Sequence, residues 1–346
     1  MLNEASSLIL TNKGFKSIID LAECCEDVSL ATVVDGKLSY VSSYEIKEVV
    51  PDGIYIYDSS KNFSTATSTY CRFYSGGFRE AYTLKEIVEK NGSSSVMLSC
   101  DAHLNDSKEI ESIKDRPYTL DFDEDIYLTF KHKDVIKLLL LYYLSNNTQK
   151  IEDNSELLFF CYSKLDHENL FNLLNLIFCV YEEDYLVISD RLAKYYPINY
   201  KNNSPLYGMF KIESEALKQY KHRLSDINSF IRNNPNYVIS ILKELSDQSC
   251  DNRWKLNFSS INNPILYTLA EILVLSGYKV FIQKHRYINS LTFIKNDRGK
   301  VSEHLLKDTK NIKYSTYVDI VTPAPTPIFV LDLYNKKMGI TIRQTN

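Results

Sequence analysis

The sequence predicts an α+β protein in which an all-β unit, divided between the two ends of the chain, is interrupted by an αβ region with pseudo-two-fold repetition. Three observations carry this expectation. Residues 1 to about 105 hold short strand-like runs punctuated by turn pairs. The middle carries apolar stripes at helical spacing, in an order that occurs twice. Residues 314–321 and 328–333 return to strand patterning around a spacer containing Pro323, Pro325 and Pro327.

In chain order, strand-like runs fall at 29–34, 38–41, 53–57, 70–74 and 96–99. Asp35-Gly36, Asp52-Gly53 and Asn91-Gly92 are the turn pairs that hairpins of this kind require. A short helix is expected at 83–90, with Thr83 as its cap and Glu86 closing a capping box. Residues 106–125 are charged and poorly patterned, which reads as a linker. Next come a helix at 134–144, a strand at 157–163, a helix from Asp166 to Phe178 and a short strand at 187–189. The order then recurs: helix at 237–245, strand at 254–259, helix at 263–276 stopped by Gly277, and strands at 278–283 and 291–294. The expected units are therefore 1–110 together with 310–346, and 125–300, the latter built from repeats spanning about 125–205 and 230–300.

Composition narrows the function classes. With 44% apolar residues the chain can bury a large core. Its net charge of −4 lowers the expectation of nucleic-acid binding without excluding a local basic face, because 40 Lys and Arg are present. Seven cysteines, odd in number and with no C-x-x-C spacing, suit free thiols in a reducing compartment. Residues 1–20 lack a secretory pattern, and the longest apolar run, 135–144, is broken by Lys137 and too short to span a bilayer. The expected location is the cytoplasm, with no membrane partner. No zinc spacing, P-loop or dinucleotide fingerprint is present.

Two terminal blocks carry a family resemblance. The run from Leu10 through Thr11, Gly14 and Phe15 to Ile18, Ile19, Asp20 and Leu21, together with Phe329-Val330-Leu331-Asp332-Leu333 and the final Asn346, resembles the first and last blocks of an intein. In the middle, Leu139 to Asn147 and Ser240 to Gln248 are similar to the paired motif helices of a LAGLIDADG homing endonuclease. The resemblance implies a Hint-like splicing domain carrying an inserted endonuclease domain, from a phage or other mobile genetic element. Its implied partners are a flanking extein polypeptide and double-stranded DNA.

Residue by residue, that resemblance implies a degenerate chemistry. Splicing needs a Cys or Ser nucleophile at the first position, a Thr and a His that polarise the preceding peptide, and a penultimate His beside a cyclising Asn. Here Met1 or Leu2 stands at the nucleophile position, and neither can transfer an acyl group. The block 66–73 keeps hydroxyls, Thr67 among them, but has Tyr70 or Cys71 where His is expected. Thr345 replaces the penultimate His, leaving Asn346 and Asp332 as the candidate catalytic residues at the tail. Asn346 is open to a second reading, as an incidental residue. Endonuclease chemistry of this type takes Mg²⁺ between two carboxylates. The corresponding positions are Asn146 and Asp247, so Asp247 is the single metal-ligand candidate and Mg²⁺ is expected only if cleavage persists. Basic candidates for DNA contact are Arg253, Lys255, Lys279, Lys284, His285, Arg286 and Lys295. The alternative function is a non-catalytic DNA-binding or structural assembly protein.

Overall fold

The computed structural model describes residues 2–4, 7–23, 27–49, 54–59, 63–68, 71–74, 78–83, 86, 96–113, 117–123, 126–146, 156–161, 168, 170–172, 180–181, 193–197, 208–213, 226–248, 252–258, 264–284, 289–295, 307–308, 317–334 and 337–346. The expected strand at 187–189 and the turns Asp52-Gly53 and Asn91-Gly92 lie outside these residues. The fold is mixed α+β, dominated by one large antiparallel sheet with few helices.

That sheet places strands in the order Asp247–Gln248, Arg253–Phe258, Asn289–Lys295, Tyr278–Lys284, Lys337–Gln344, Pro327–Tyr334, Leu8–Thr11, Leu30–Val34 and Lys37–Val41. The head of the chain is thereby hydrogen-bonded to its tail: Leu8 pairs with Leu331 and Ile9 with Val330. Strand Pro327–Tyr334 turns back on Lys337–Gln344, which in turn pairs with Tyr278–Lys284. Alternation along each strand then divides the core. Leu10, Phe329, Leu331, Ile340 and Ile342 face the helices, whereas Ile9, Ile328 and Val330 face a second cluster with Phe73, Val318 and Ile320.

The described helices are α1 (Ile18–Glu23), α2 (Lys108–Ile113), α3 (His132–Asn146), α4 (Ile227–Asn233), α5 (Pro235–Leu245) and α6 (Pro264–Leu275). The Thr83/Glu86 capping box forms, with Thr83 N donating to Glu86 Oε2 at 2.7 Å and Glu86 N to Thr83 Oγ1 at 3.2 Å. The expected linker at 106–125 instead holds α2 and the first strand of a hairpin, Pro117–Asp123 with Ile126–Lys131. Its alternation of Tyr118, Leu120 and Phe122 with polar residues is the strand signal that its acidic content obscured.

The middle repeats its topology. After α3, strands Glu156–Cys161, Ala193–Pro197 and Gly208–Glu213 pair antiparallel in spatial order first, third, second. After α5, strands Arg253–Phe258, Tyr278–Lys284 and Asn289–Lys295 do the same. Helical residues separate the first two strands of each set. Helices α3 and α5 touch, with Leu138, Leu139, Ile241 and Leu242 all buried. Lys133 and Lys137 of α3 pair with Glu244 of α5, the latter at 2.6 Å. Leu-rich seams of this kind require only close packing.

The head is locked to the middle at the turn between Leu8–Thr11 and Gly14–Ser17. Gly14 takes φ +85°, and a Cβ there would lie 2.5 Å from Arg232 Nη2. Arg232 donates its Nε to both oxygens of Glu271 at 3.0 and 3.1 Å. Burial pushes the Glu271 carboxyl up, against the opposing pull of the Arg232 guanidinium. Gly14→Ala should therefore destabilise the protein by about 1–2 kcal/mol through left-handed backbone strain alone, and displace Arg232 from Glu271 as well. Urea unfolding checks this; a midpoint equal to wild type would show that the turn tolerates a side chain.

Candidate functional site

The candidate site is built where four strands converge. Strand Leu2–Glu4 pairs antiparallel with Tyr317–Val321, setting Leu2 opposite Asp319. On the other edge of Tyr317–Val321 lies Glu45–Val49, with Lys47 opposite Asp319. Strand Phe63–Ser68, which carries Thr67, packs against Leu2–Glu4, Pro327–Tyr334 and Lys337–Gln344.

The tail closes this group. Asn346 N donates to Ile320 O at 3.1 Å, and Thr322 N donates to the main-chain oxygen of Asn346 at 2.9 Å. The Asn346 side-chain amide donates to Asp319 Oδ2 at 2.6 Å. Asp319 is thus the strand partner of Leu2 and the acceptor for the Asn346 side-chain amide. Thr345, almost completely buried, is fixed by Thr326 N at 2.9 Å and by the Thr322 hydroxyl. A hydroxyl at the penultimate position therefore serves the tail's geometry.

The Asn346 side-chain amide therefore has a carboxylate acceptor and its main-chain oxygen a backbone N–H donor, partners of the kind that proton transfer and oxyanion stabilisation use. Asp319 is the residue that sequence reading missed. The signal was available, because Tyr317-Val318-Asp319-Ile320 lies in the strand-like run before the proline spacer.

Asp332 has other partners. It is buried, paired with Arg343, and accepts from Ser7 Oγ at 2.6 Å. Arg343 is itself fully buried, donates to Thr341 Oγ1 at 3.0 Å and stands 5.2 Å over the Phe73 ring. Strand alternation puts Asp332 and Arg343 on the same sheet face as Ile328 and Val330. Cys71, at one of the two expected His positions, is fully buried; Tyr70 lies outside the described residues. Cys100 is also buried, and burial pushes its thiol up to about 12, so it carries no nucleophilic chemistry at neutral pH.

The endonuclease positions lie at the ends of the two packed helices. Asn146 is the last residue of α3, whereas α5 stops at Leu245 and Asp247 begins a two-residue strand opposite Lys255. These positions supply one carboxylate, and no cluster of three His, Cys, Asp or Glu occurs among the described residues. That donor set does not fit a two-carboxylate clamp for Mg²⁺.

The basic candidates divide between two faces. On the three-stranded sheet of the second repeat, Arg253, Lys255 and Lys279 alternate onto the face opposite the helices, beside Asn257, Gln283, Ser290 and Thr292. These three strands carry no acidic residue, but Asp247 of the adjoining strand Asp247–Gln248 stands opposite Lys255 on that face. Burial holds the Lys279 ammonium below its ordinary range. Lys284 and Lys295 alternate onto the helix side, and His285 and Arg286 lie outside the described residues.

Compared with known proteins, no family model matches the chain, and no curated protein matches it significantly. No described helix is long and apolar enough to cross a membrane.

The buried pair gives a direct test of its structural role. Breaking it with Asp332→Ala or Arg343→Ala should cost about 3–5 kcal/mol, because each leaves an uncompensated buried charge. The double replacement Asp332→Leu with Arg343→Met should recover much of that loss. Denaturant unfolding of the single and double variants provides the check.

Proposed function

We propose that the chain is an intein-like element of a phage or mobile genome: a Hint-like module of head and tail segments with degenerate splicing chemistry, around a LAGLIDADG-like domain whose DNA cleavage is impaired. The observation that carries this reading is that Asp319 is both the strand partner of Leu2 and the acceptor for the Asn346 side-chain amide. Splicing requires both junctions within reach of one set of catalytic groups, and antiparallel pairing of the first strand with Tyr317–Val321, to which the backbone of Asn346 is hydrogen-bonded, is a direct way to hold them so.

The retained step is cyclisation of Asn346. In a polypeptide continuing beyond it, Asn346 Nδ2 attacks its own carbonyl carbon, Asp319 accepts the amide proton, and Thr322 N–H stabilises the oxyanion. The carbon–nitrogen bond to the next residue then breaks, its nitrogen gaining a proton to leave as an amine. At the positions that the resemblance assigns to the first acyl transfer, neither Met1 nor Leu2 carries a suitable heteroatom. Ligation therefore fails while release of a downstream segment persists.

Placed between two reporter domains, the chain should yield slow cleavage after Asn346 and no ligated product. Asn346→Ala should abolish that cleavage, and Asp319→Asn should slow it by roughly 10²–10⁴-fold, the scale of a lost general base. Ligated reporters would show that splicing survives; cleavage indifferent to Asn346 would remove the proposed reaction.

The second reading, DNA binding without cleavage, is favoured by the face holding Arg253, Lys255 and Lys279, on which Asp247 opposite Lys255 is the acid among the described strands Asp247–Gln248, Arg253–Phe258, Tyr278–Lys284 and Asn289–Lys295. Mg²⁺ enters only as a requirement of residual cutting. Duplex binding should weaken linearly in log salt, and Lys255→Ala should lower the slope by about 1 if Lys255 meets a phosphate. Salt-independent binding, or a slope unchanged in that variant, would exclude this face as the contact.

A further inference from the structure

A cleft of about 640 Å³ opens on the helix side of the sheet, between residues 101–105, α5 and the strand ends at Tyr278 and Lys295. That volume is within the range of small-molecule sites, roughly 300–1,000 Å³. Its position follows from how the head segment crosses the middle. Cys100 N and Ala102 N donate to Val274 O and Leu275 O at the end of α6, at 3.0 and 2.7 Å. Asp106 accepts from Asn236 N and Tyr237 N at the start of α5. The chain between these anchors forms one wall, held by backbone hydrogen bonds at α6 and by the Asp106 carboxylate at α5.

Its charge is the informative feature. Lys243 Nζ lies 4.9 Å from the Trp254 ring centroid and 5.2 Å from that of Tyr278, while Lys295 Nζ lies 5.7 Å from Tyr278. One buried ring thus tethers two ammonium groups to one wall. Neither lysine has a carboxylate within ion-pair distance among the described residues. Of the two acids that line the cleft, Glu244 is paired with Lys133 and Lys137, and Asp101 accepts from the backbone N–H of His103 at 3.1 Å. Ser276 Oγ is buried at the cleft without a hydrogen-bond partner among the described residues. A buried unpaired hydroxyl is costly unless something completes it.

These features define the ligand by chemistry. Trp254 is stacked on Phe293 at 5.5 Å and has Lys243 above it, so its ring has no free face for a base or other planar group. Recognition rests on charge and hydrogen bonding. We propose that this cleft binds a compact phosphorylated small molecule bearing two anionic groups, one against each lysine, with Ser276 Oγ donating to a phosphoryl oxygen. The site is separate from the Arg253–Lys255–Lys279 surface, which alternation places on the opposite face of the same strands.

Calorimetric titration of the full chain with inorganic pyrophosphate tests this. Saturable one-to-one binding is expected, weakened about ten- to a hundredfold in Lys243→Gln and in Lys295→Gln, as loss of a charge-assisted contact predicts. Lys255→Gln should bind as wild type, and a short DNA duplex should not displace pyrophosphate. Lys295 is exposed, so its variant should keep the wild-type unfolding midpoint and isolate the charge effect. Absence of saturation, unchanged affinity in Lys295→Gln, or displacement by the duplex would overturn the proposal, the last assigning the lysines to nucleic acid.

Discussion

The pairing of Leu8 and Ile9 with Leu331 and Val330 is the constraint on which the rest of the architecture depends. Closing a chain segment of this length costs about 5 kcal/mol by the logarithmic loop-closure law, before any contact offsets it. Ile9, Leu10, Val330 and Leu331 are each at most 1% exposed. At about 1.5–3 kcal/mol per buried aliphatic side chain, those four exceed the closure cost. Polar groups then specify register: Ser7 reaches Asp332 across 325 positions, and Arg343 completes the trio. A one-residue slip would turn Asp332 and Arg343 into the helix-side core and Leu331 out of it.

Because the tail strand is central, elements on either side inherit its position. Lys337–Gln344 carries the pairing outward to Tyr278–Lys284, joining the second repeat to the same sheet. On the other edge, Leu30–Val34 follows Leu8–Thr11 through a single paired position, Thr11 with Leu30. Arg232–Glu271 and Gly14 link the head's first turn to α4 and α6. Head, tail and second repeat thus share one packed interior, and a change at the tail is felt at the helices.

Much of this was legible in the sequence, for identifiable reasons. Asp35-Gly36 adopts φ values of +50° and +75°, the conformation that this pair favours in a two-residue hairpin turn. The spacing of apolar residues located α3, α5 and α6 to within a few positions, because each buries one stripe. Strands Leu2–Glu4 and Glu45–Val49 escaped notice, as three- and five-residue edge strands bearing charge carry almost no periodic signal. Asp332 is singled out by the resemblance of Phe329–Leu333 to an intein's closing block, yet burial beside Arg343 commits it to the core. Asp319, in a similarly apolar run, lies at the edge where strand Leu2–Glu4 and Asn346 arrive. Local patterns do not distinguish these two acids. Only the pairing of distant strands assigns one to packing and the other to the tail.

The same division explains how a site can lose its chemistry while the scaffold persists. Residues that set the geometry are buried and mutually dependent: Thr322, Thr326 and Thr345 fix the tail through one another, and Asp332 needs Arg343. Replacing any of them exposes an unmet polar group, which selection for folding alone disfavours. The nucleophile and the second metal-binding carboxylate that the resemblance implies are not members of that network; Met1 or Leu2 and Asn146 stand at their positions. Under the proposed reading, catalytic groups drift first and the converging strands remain. That leaves Asn346 held against Asp319 by an arrangement the tail requires for its own packing.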